Sequence, residues 1–435
     1  MSRRAFRAAL AHMLDDPSRT PAAEALAHHP DGLLVVEDGH VAAFGAFDEL
    51  APTLPADIPL THLPGCLITP GFVDAHVHYP QVDVIAAWGT QLLDWLETHT
   101  FPAEQAFADR AHADAVAQVF LDQLLASGTT SALAFCTVHK VSAEALFEAA
   151  LSRNMRLIAG KVLMDRHAPA GLTDTVETGR ADTEALIRAW HGRGRLGYAV
   201  TPRFAVTSSD AQLAMAGEVA AAHPDVLVHT HLLENTQEIA RVAELFPAAR
   251  DYLDVYDRFG LVGPRSVFAH CVHASDEVFG RLANAGAAVA FCPSSNLMLG
   301  SGLFPLRRAC ACGVTTALGS DVGGGASFSL LQMMGEAYKV GQLQGDNLDP
   351  LHAFYLATLA GARALHIDDR VGNLAPGKEA DFVVIDLAAT PLLARRAARA
   401  RSLAETLFML SILADDRAIA RTYLMGELSH ARPGA

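Results

Sequence analysis

The chain has 435 residues, 51% of them hydrophobic, and a formal net charge of −15, which is material for one large core plus a smaller one and excludes a disordered chain. The negative balance, spread without any long acidic run, would repel phosphate backbones, so nucleic acid is not an expected partner. No run of about 18 uninterrupted apolar residues marks a membrane span.

The opening MSRRAFRAALAHMLDDP lacks the apolar segment and cleavage site of a secretory leader, so a cytoplasmic protein is expected. Six cysteines, Cys66, Cys136, Cys271, Cys292, Cys310 and Cys312, are scattered with no Cys-x-x-Cys and suit free thiols in a reducing compartment.

In chain order, LLVVEDGHVAAFGA (33–46) shows two short strand-like runs around Asp38-Gly39, a hairpin signal. ITPGFVDAHVHYPQ (68–81) then reads as a strand over 68–78 that ends in His76 and His78. Residues i and i+2 of a strand share a face, so the two imidazoles project together while Val77 points away. Such a pair suits a metal such as zinc. Taken alone, it equally suits one packed and one surface histidine.

Seven more β-rich runs follow, each before a helix-like stretch: 129–139, 156–165, 197–206, 225–231, 266–273, 287–294 and 315–321. Eight β/α units fit a TIM barrel, whose site lies at the C-terminal ends of its strands. A doubly wound open sheet fits less well, because no Gly-x-Gly-x-x-Gly turn follows the first strand and the candidate ligands close strands far apart in sequence. GNLAPGKEADFVVIDL (372–387) and RTYLMGEL (421–428) are again β-like, and the Ala/Arg-rich 388–404 between them reads as an ordinary helix. Neither flank is long enough for a stable sheet alone. The expected organisation is α/β: a TIM (β/α)8 barrel over 68–368 and a small β-sandwich domain built from both termini, 1–67 and 369–435.

The strand ends then read as a set. Strand five closes with HTHLLEN (229–235), strand six with FAHC (268–271) and strand eight with LGSD (318–321). Any one of these groups alone could be packed or solvated, but with His76 and His78 they put histidines and carboxylates at four of eight strand ends. His229 and His231 both face the barrel interior. His231 lies nearer the C-terminal end, and His229 is expected behind it or in the core.

This combination resembles the amidohydrolase superfamily, over nearly the whole chain and including the 372–384 segment. Within it, PGFVDAHVHYPQ (70–81), LLDWLETHTFPAE (92–104), GKVLMDR (160–166), TPRFAVTSS (201–209), HTHLLEN (229–235) and LGSDVGGG (318–325) resemble the guanine deaminases. The resemblance implies one zinc per subunit, with ferrous iron as the alternative, held by His76, His78, His231 and Asp321. It assigns proton handling to Glu234 and His270 with Asp321, and the reaction to hydrolysis of guanine to xanthine and ammonia. It further implies a small purine as the partner and a homodimer. Guanine presents O6 and N7 as acceptors beside a donor-rich N1/N2 edge, so a selective pocket needs a forked donor and an amide. Arg203 and Gln81 are matched to those needs, with O6 assigned to Arg203, and Phe204 and His270 are expected against the substrate.

Some amidohydrolases bridge two metals with a carbamylated lysine on strand four. Lys161 falls on strand three, so a mononuclear site and a structural Lys161 are expected. Cys292-Pro-Ser-Ser lacks the second thiol of a cytidine-deaminase zinc site. Two rival readings stand beside guanine: the same centre acting on another aminopurine, a pterin, a triazine or a cyclic amide, and a non-catalytic assembly protein that kept the barrel.

Overall fold

The computed structural model describes residues 3–89 and 91–434. Near the N-terminus, β1 (Arg3–Met13), β2 (Leu26–Glu37), β3 (His40–Ala46) and β4 (Leu60–Pro70) lead into β5 (Phe72–His78). The expected hairpin forms between β2 and β3, with Asp38 and Gly39 both in the left-handed conformation that such a turn demands (φ 48° and 82°).

The strand expected over 68–78 is in fact two. Ile68, Thr69 and Pro70 pair with β14 (Phe382–Asp386), whereas Phe72 onward pairs with β6 (Thr129–Phe135). The break falls at Gly71, where a Cβ would stand 2.0 Å from Thr130 Oγ1, so only glycine lets the chain pass from one sheet to the other.

The barrel continues through β7 (Arg156–Gly160) and its short extension β8 (Val162–Leu163), β9 (Leu196–Pro202), β10 (Leu227–Leu232), β11 (Ser266–His270), β12 (Ala288–Phe291) and β13 (Thr315–Leu318). Successive strands pair in parallel, in the order β5-β6-β7-β9-β10-β11-β12-β13, as the alternating pattern predicts. Every residue of β6, β10, β11 and β12 is buried, the mark of a parallel sheet covered on both faces. Between β13 and β5 the circle is closed by loop backbone: Asp321 N–H donates to His76 C=O and His78 N–H to Val322 C=O, each at 2.9 Å. Most of the expected strands ran too far at their C-terminal ends, because there the chain turns out to form the rim. His270, Cys271 and Asp321 all take positive φ at these turns.

Both termini build one seven-stranded sheet, ordered β16-β15-β14-β4-β1-β2-β3, where β15 is Ile419–Leu424 and β16 is Glu427–Ala431. Only β1 and β4 pair in parallel. Side chains alternate: Phe382 and Val384 pack with Phe6 and Tyr423 on one face, while Val383 and Ile385 join the barrel's core on the other. The stretch 388–404 is not one helix. Pro391–Ala397 and Leu403–Leu413 are separate, each started by a side-chain cap, Thr390 and Ser402, that accepts a backbone N–H. All six cysteines are free thiols. No helix among the described residues is long and apolar enough to cross a membrane.

Candidate active site

Three strand ends, those of β5, β10 and β13, deliver electron-pair donors to one point. His78 Nε2 lies 3.3 Å from His76 Nε2, 3.2 Å from His231 Nε2 and 3.4 Å from Asp321 Oδ1, and His76 Nε2 lies 3.2 Å from that same oxygen. The rings are turned inward from behind. His229 Nε2 bonds His76 Nδ1 at 2.8 Å, and the Arg203 carbonyl accepts from His231 Nδ1 at 2.7 Å. A proton held on Nδ1 of His231 leaves Nε2 with its lone pair. Burial holds His76, His78, His229 and His231 well below the usual imidazole pKa, so these rings are neutral. Phe135, at the end of β6, lies against all four rings and dries the cluster.

Lone pairs and a carboxylate pressed to within 3.2–3.4 Å of one another repel unless a cation sits among them. The donor set therefore fits a metal with nitrogen and oxygen ligands. A second grouping, His76, His231 and His270, also brings three ligand atoms within 4.8 Å of one another, and a third replaces the latter two with Cys292 and Asp321. His270, however, is engaged elsewhere. Its Nδ1 is bonded to Asn296 Oδ1 at 2.9 Å, and its Nε2 faces Glu234 Oε2 at 3.4 Å and Asp321 Oδ2 at 3.8 Å.

Glu234 is buried beside this cluster, with Ser301 Oγ donating to it at 3.4 Å. Burial first, and then the neighbouring carboxylates of Glu238 and Asp321, push its carboxyl well above the usual range, which favours its protonated form. Its backbone is pinned by Glu238, whose Oε2 accepts the N–H groups of Glu234 and Asn235 at 2.9 and 3.1 Å and whose Oε1 accepts Tyr252 O–H. Asp321 is placed by its neighbours in LGSDVGGG. A Cβ on Gly319 would come within 2.9 Å of His76 Cβ, and Asp74 receives both the N–H and the hydroxyl of Ser320.

The cleft above is lined by His78, Gln81, Arg203, Phe204, His231, Glu234, His270 and Asp321, with Leu92, Trp95, Leu96 and Leu299 as apolar walls. Every residue expected in the site lines this cleft except His76, which is fully buried in the donor cluster. Lys161 does not line it: it is 1% exposed and ion-paired with Asp174, away from the cleft. Arg203 is 2% exposed, and its partner is one the sequence reading assigned no role, Glu104, at 2.7 Å. Asn296, Glu238 and Phe135 were likewise missed. For Glu104 a signal existed, since a buried arginine requires a counter-charge and LLDWLETHTFPAE supplies few.

The sequence pattern of the amidohydrolase family matches residues 67–428. The chain is 50% identical over 419 residues to the guanine deaminase of Escherichia coli (strain K12), covering 96% of this chain and 95% of that protein. A solved structure of the E. coli guanine deaminase superposes with a TM-score of 0.96 at 49% identity, covering 99% of this chain and 100% of that one. A guanine deaminase from C. acetobutylicum, with guanine bound in its active site, superposes with a TM-score of 0.88 at 29% identity, covering 98% and 99%.

Proposed function

The chain belongs to the amidohydrolase family, and from that premise we propose that its cleft hydrolyses guanine to xanthine and ammonia. The observation that carries the reading is the junction, in one cleft, of a neutral imidazole and carboxylate cluster with a buried guanidinium and amide. The near-complete match to guanine deaminases favours it over the other ring systems and over a non-catalytic role.

His76, His78, His231 and Asp321 would hold one metal, zinc by the chemistry of the donors, with ferrous iron the alternative. When bound, the metal supplies Lewis acidity that brings the pKa of water from about 16 toward 7. Asp321, through the oxygen on the His270 side, takes the first proton from the attacking water. Glu234, protonated and beside the cleft, delivers a proton to N3 of the ring, next to the carbon that carries the amine. His270, its ring turned by the Nδ1 bond to Asn296 Oδ1, stands against the oxygen forming on that carbon. The proton on N3 is Glu234's own; as the C2–N bond breaks, the amine takes the proton held by Asp321 and leaves as ammonia, and the proton of the new hydroxyl restores Glu234 as the C2 carbonyl forms. Arg203 donates to O6, Gln81 reads the adjoining polar edge, and Phe204 packs against the ring. The family resemblance also carries a cytoplasmic homodimer, and sedimentation equilibrium checks the subunit count.

The test is ammonia release from a panel of purines, pterins and triazines, with metal analysis of the same preparation. Guanine is expected to give the highest kcat/KM. A metal-loaded preparation that releases no ammonia from any purine would overturn the reading.

A further inference from the structure

Glu104 takes no part in the reaction just described, yet it joins the two groups that read the base. It is fully buried in the short helix Phe101–Gln105. Its oxygens accept Arg203 Nη1 at 2.9 and 2.7 Å, and Oε1 also accepts Gln81 Nε2 at 3.2 Å. Gln81 Oε1 in turn accepts the Gly323 N–H at 3.1 Å. This relay ties together the loops that follow β9, β5 and β13.

Two orientations follow. The Gln81 amide cannot flip, because a flip would set its NH2 against the Gly323 N–H and its oxygen against a carboxylate. The guanidinium is turned so that Nη1 is spent on Glu104, while Nε and Nη2, which bond no described residue, are left for the cleft that Arg203 lines. Donors set in place before a ligand arrives need no reorganisation when it binds.

We propose that Glu104 is the positioning residue that makes the cleft selective for a 6-oxopurine, by fixing the free donor edge of Arg203 and the amide orientation of Gln81. The inference rests on the guanine reading above. A carboxylate that merely neutralised a buried arginine would support every substrate alike, whereas one that aims donors at O6 matters only to substrates that carry O6.

The experiment compares guanine with 2-aminopurine, which has the same amine on C2 and no O6, in the wild-type protein, Glu104→Gln and Glu104→Asp. The wild type is expected to prefer guanine by about 100-fold or more, as sites built around a substrate's polar group do. In Glu104→Gln, kcat/KM for guanine is expected to fall about 30–100-fold, mainly through KM, while that for 2-aminopurine changes less than about threefold. Glu104→Asp keeps the charge one methylene short and is expected to restore part of the preference. An unchanged guanine to 2-aminopurine ratio in Glu104→Gln, with both activities falling together, would overturn the inference. Should that variant not fold, an unchanged ratio in Glu104→Asp overturns it equally. Absence of guanine turnover in the wild type would instead overturn the functional reading.

Discussion

Arg195 and Arg203 stand at the two ends of one strand, β9, and are equally dry, with side chains 8% and 3% exposed. They are used in opposite ways. At the lower end, Arg195 meets Asp381 and Glu379, donates to the Asn154 carbonyl at 2.9 Å, and shares Glu379 with Arg156. Two guanidinium groups and two carboxylates there clamp the barrel to the second sheet, and Asp381 also receives the Met425 N–H of the β15–β16 turn. At the upper end, Arg203 has one carboxylate on one nitrogen and turns the rest toward a cleft. A buried cation whose donors are shared among several protein groups holds structure together. One left partly unspent is a socket for a ligand.

The contrast can be broken from the upper end first, where the effects are largest. His78→Ala removes a ring in contact with three other donors, so guanine turnover is expected to fall to background. Elemental analysis of that variant is expected to show little metal. Next, Glu234→Gln keeps every candidate ligand and is expected to retain metal while kcat drops by about two to four orders of magnitude. A comparable loss of metal in that variant would make Glu234 a ligand.

At the lower end, Arg195→Met strands the buried Asp381 carboxylate and leaves Glu379 to Arg156 alone, and is expected to cost about 3–5 kcal/mol in urea denaturation. Its folded fraction is expected to turn over guanine at close to the wild-type kcat/KM, because nothing in the clamp reaches the cleft. Arg203→Met is expected to cost about 2–4 kcal/mol in kcat/KM for guanine with metal retained, since an acceptor on the base loses a charged donor. If Arg195→Met impaired turnover as much as Arg203→Met, the division of labour along β9 would be wrong.

The barrel and the grouping of its candidate site were legible because their signals are local and periodic. Apolar runs spaced by helical stretches specify strands, and His76, His78, His231, Glu234, His270 and Asp321 sit at their ends, where a parallel barrel carries its chemistry. What was not legible depends on contacts across the fold. That 68–78 is two strands follows from Thr130 pressing on Gly71, more than fifty residues on. The break within 388–404 lies in caps that a composition rich in Ala and Arg obscures. Glu104 and Asn296 orient Arg203 and His270 from other elements, and no spacing rule links them. The second sheet was expected from both termini, but its strand order, with β14 lying between β4 and β15, is set by long-range pairing that local pattern does not encode.

The most direct test of the central claim is to follow guanine loss, xanthine formation and ammonia release together, on a wild-type preparation whose metal content is measured. The account predicts one xanthine and one ammonia for each guanine consumed, at a rate that falls on chelation and returns when zinc is restored. Guanine consumed without ammonia, or turnover that persists after the metal is gone, would contradict it.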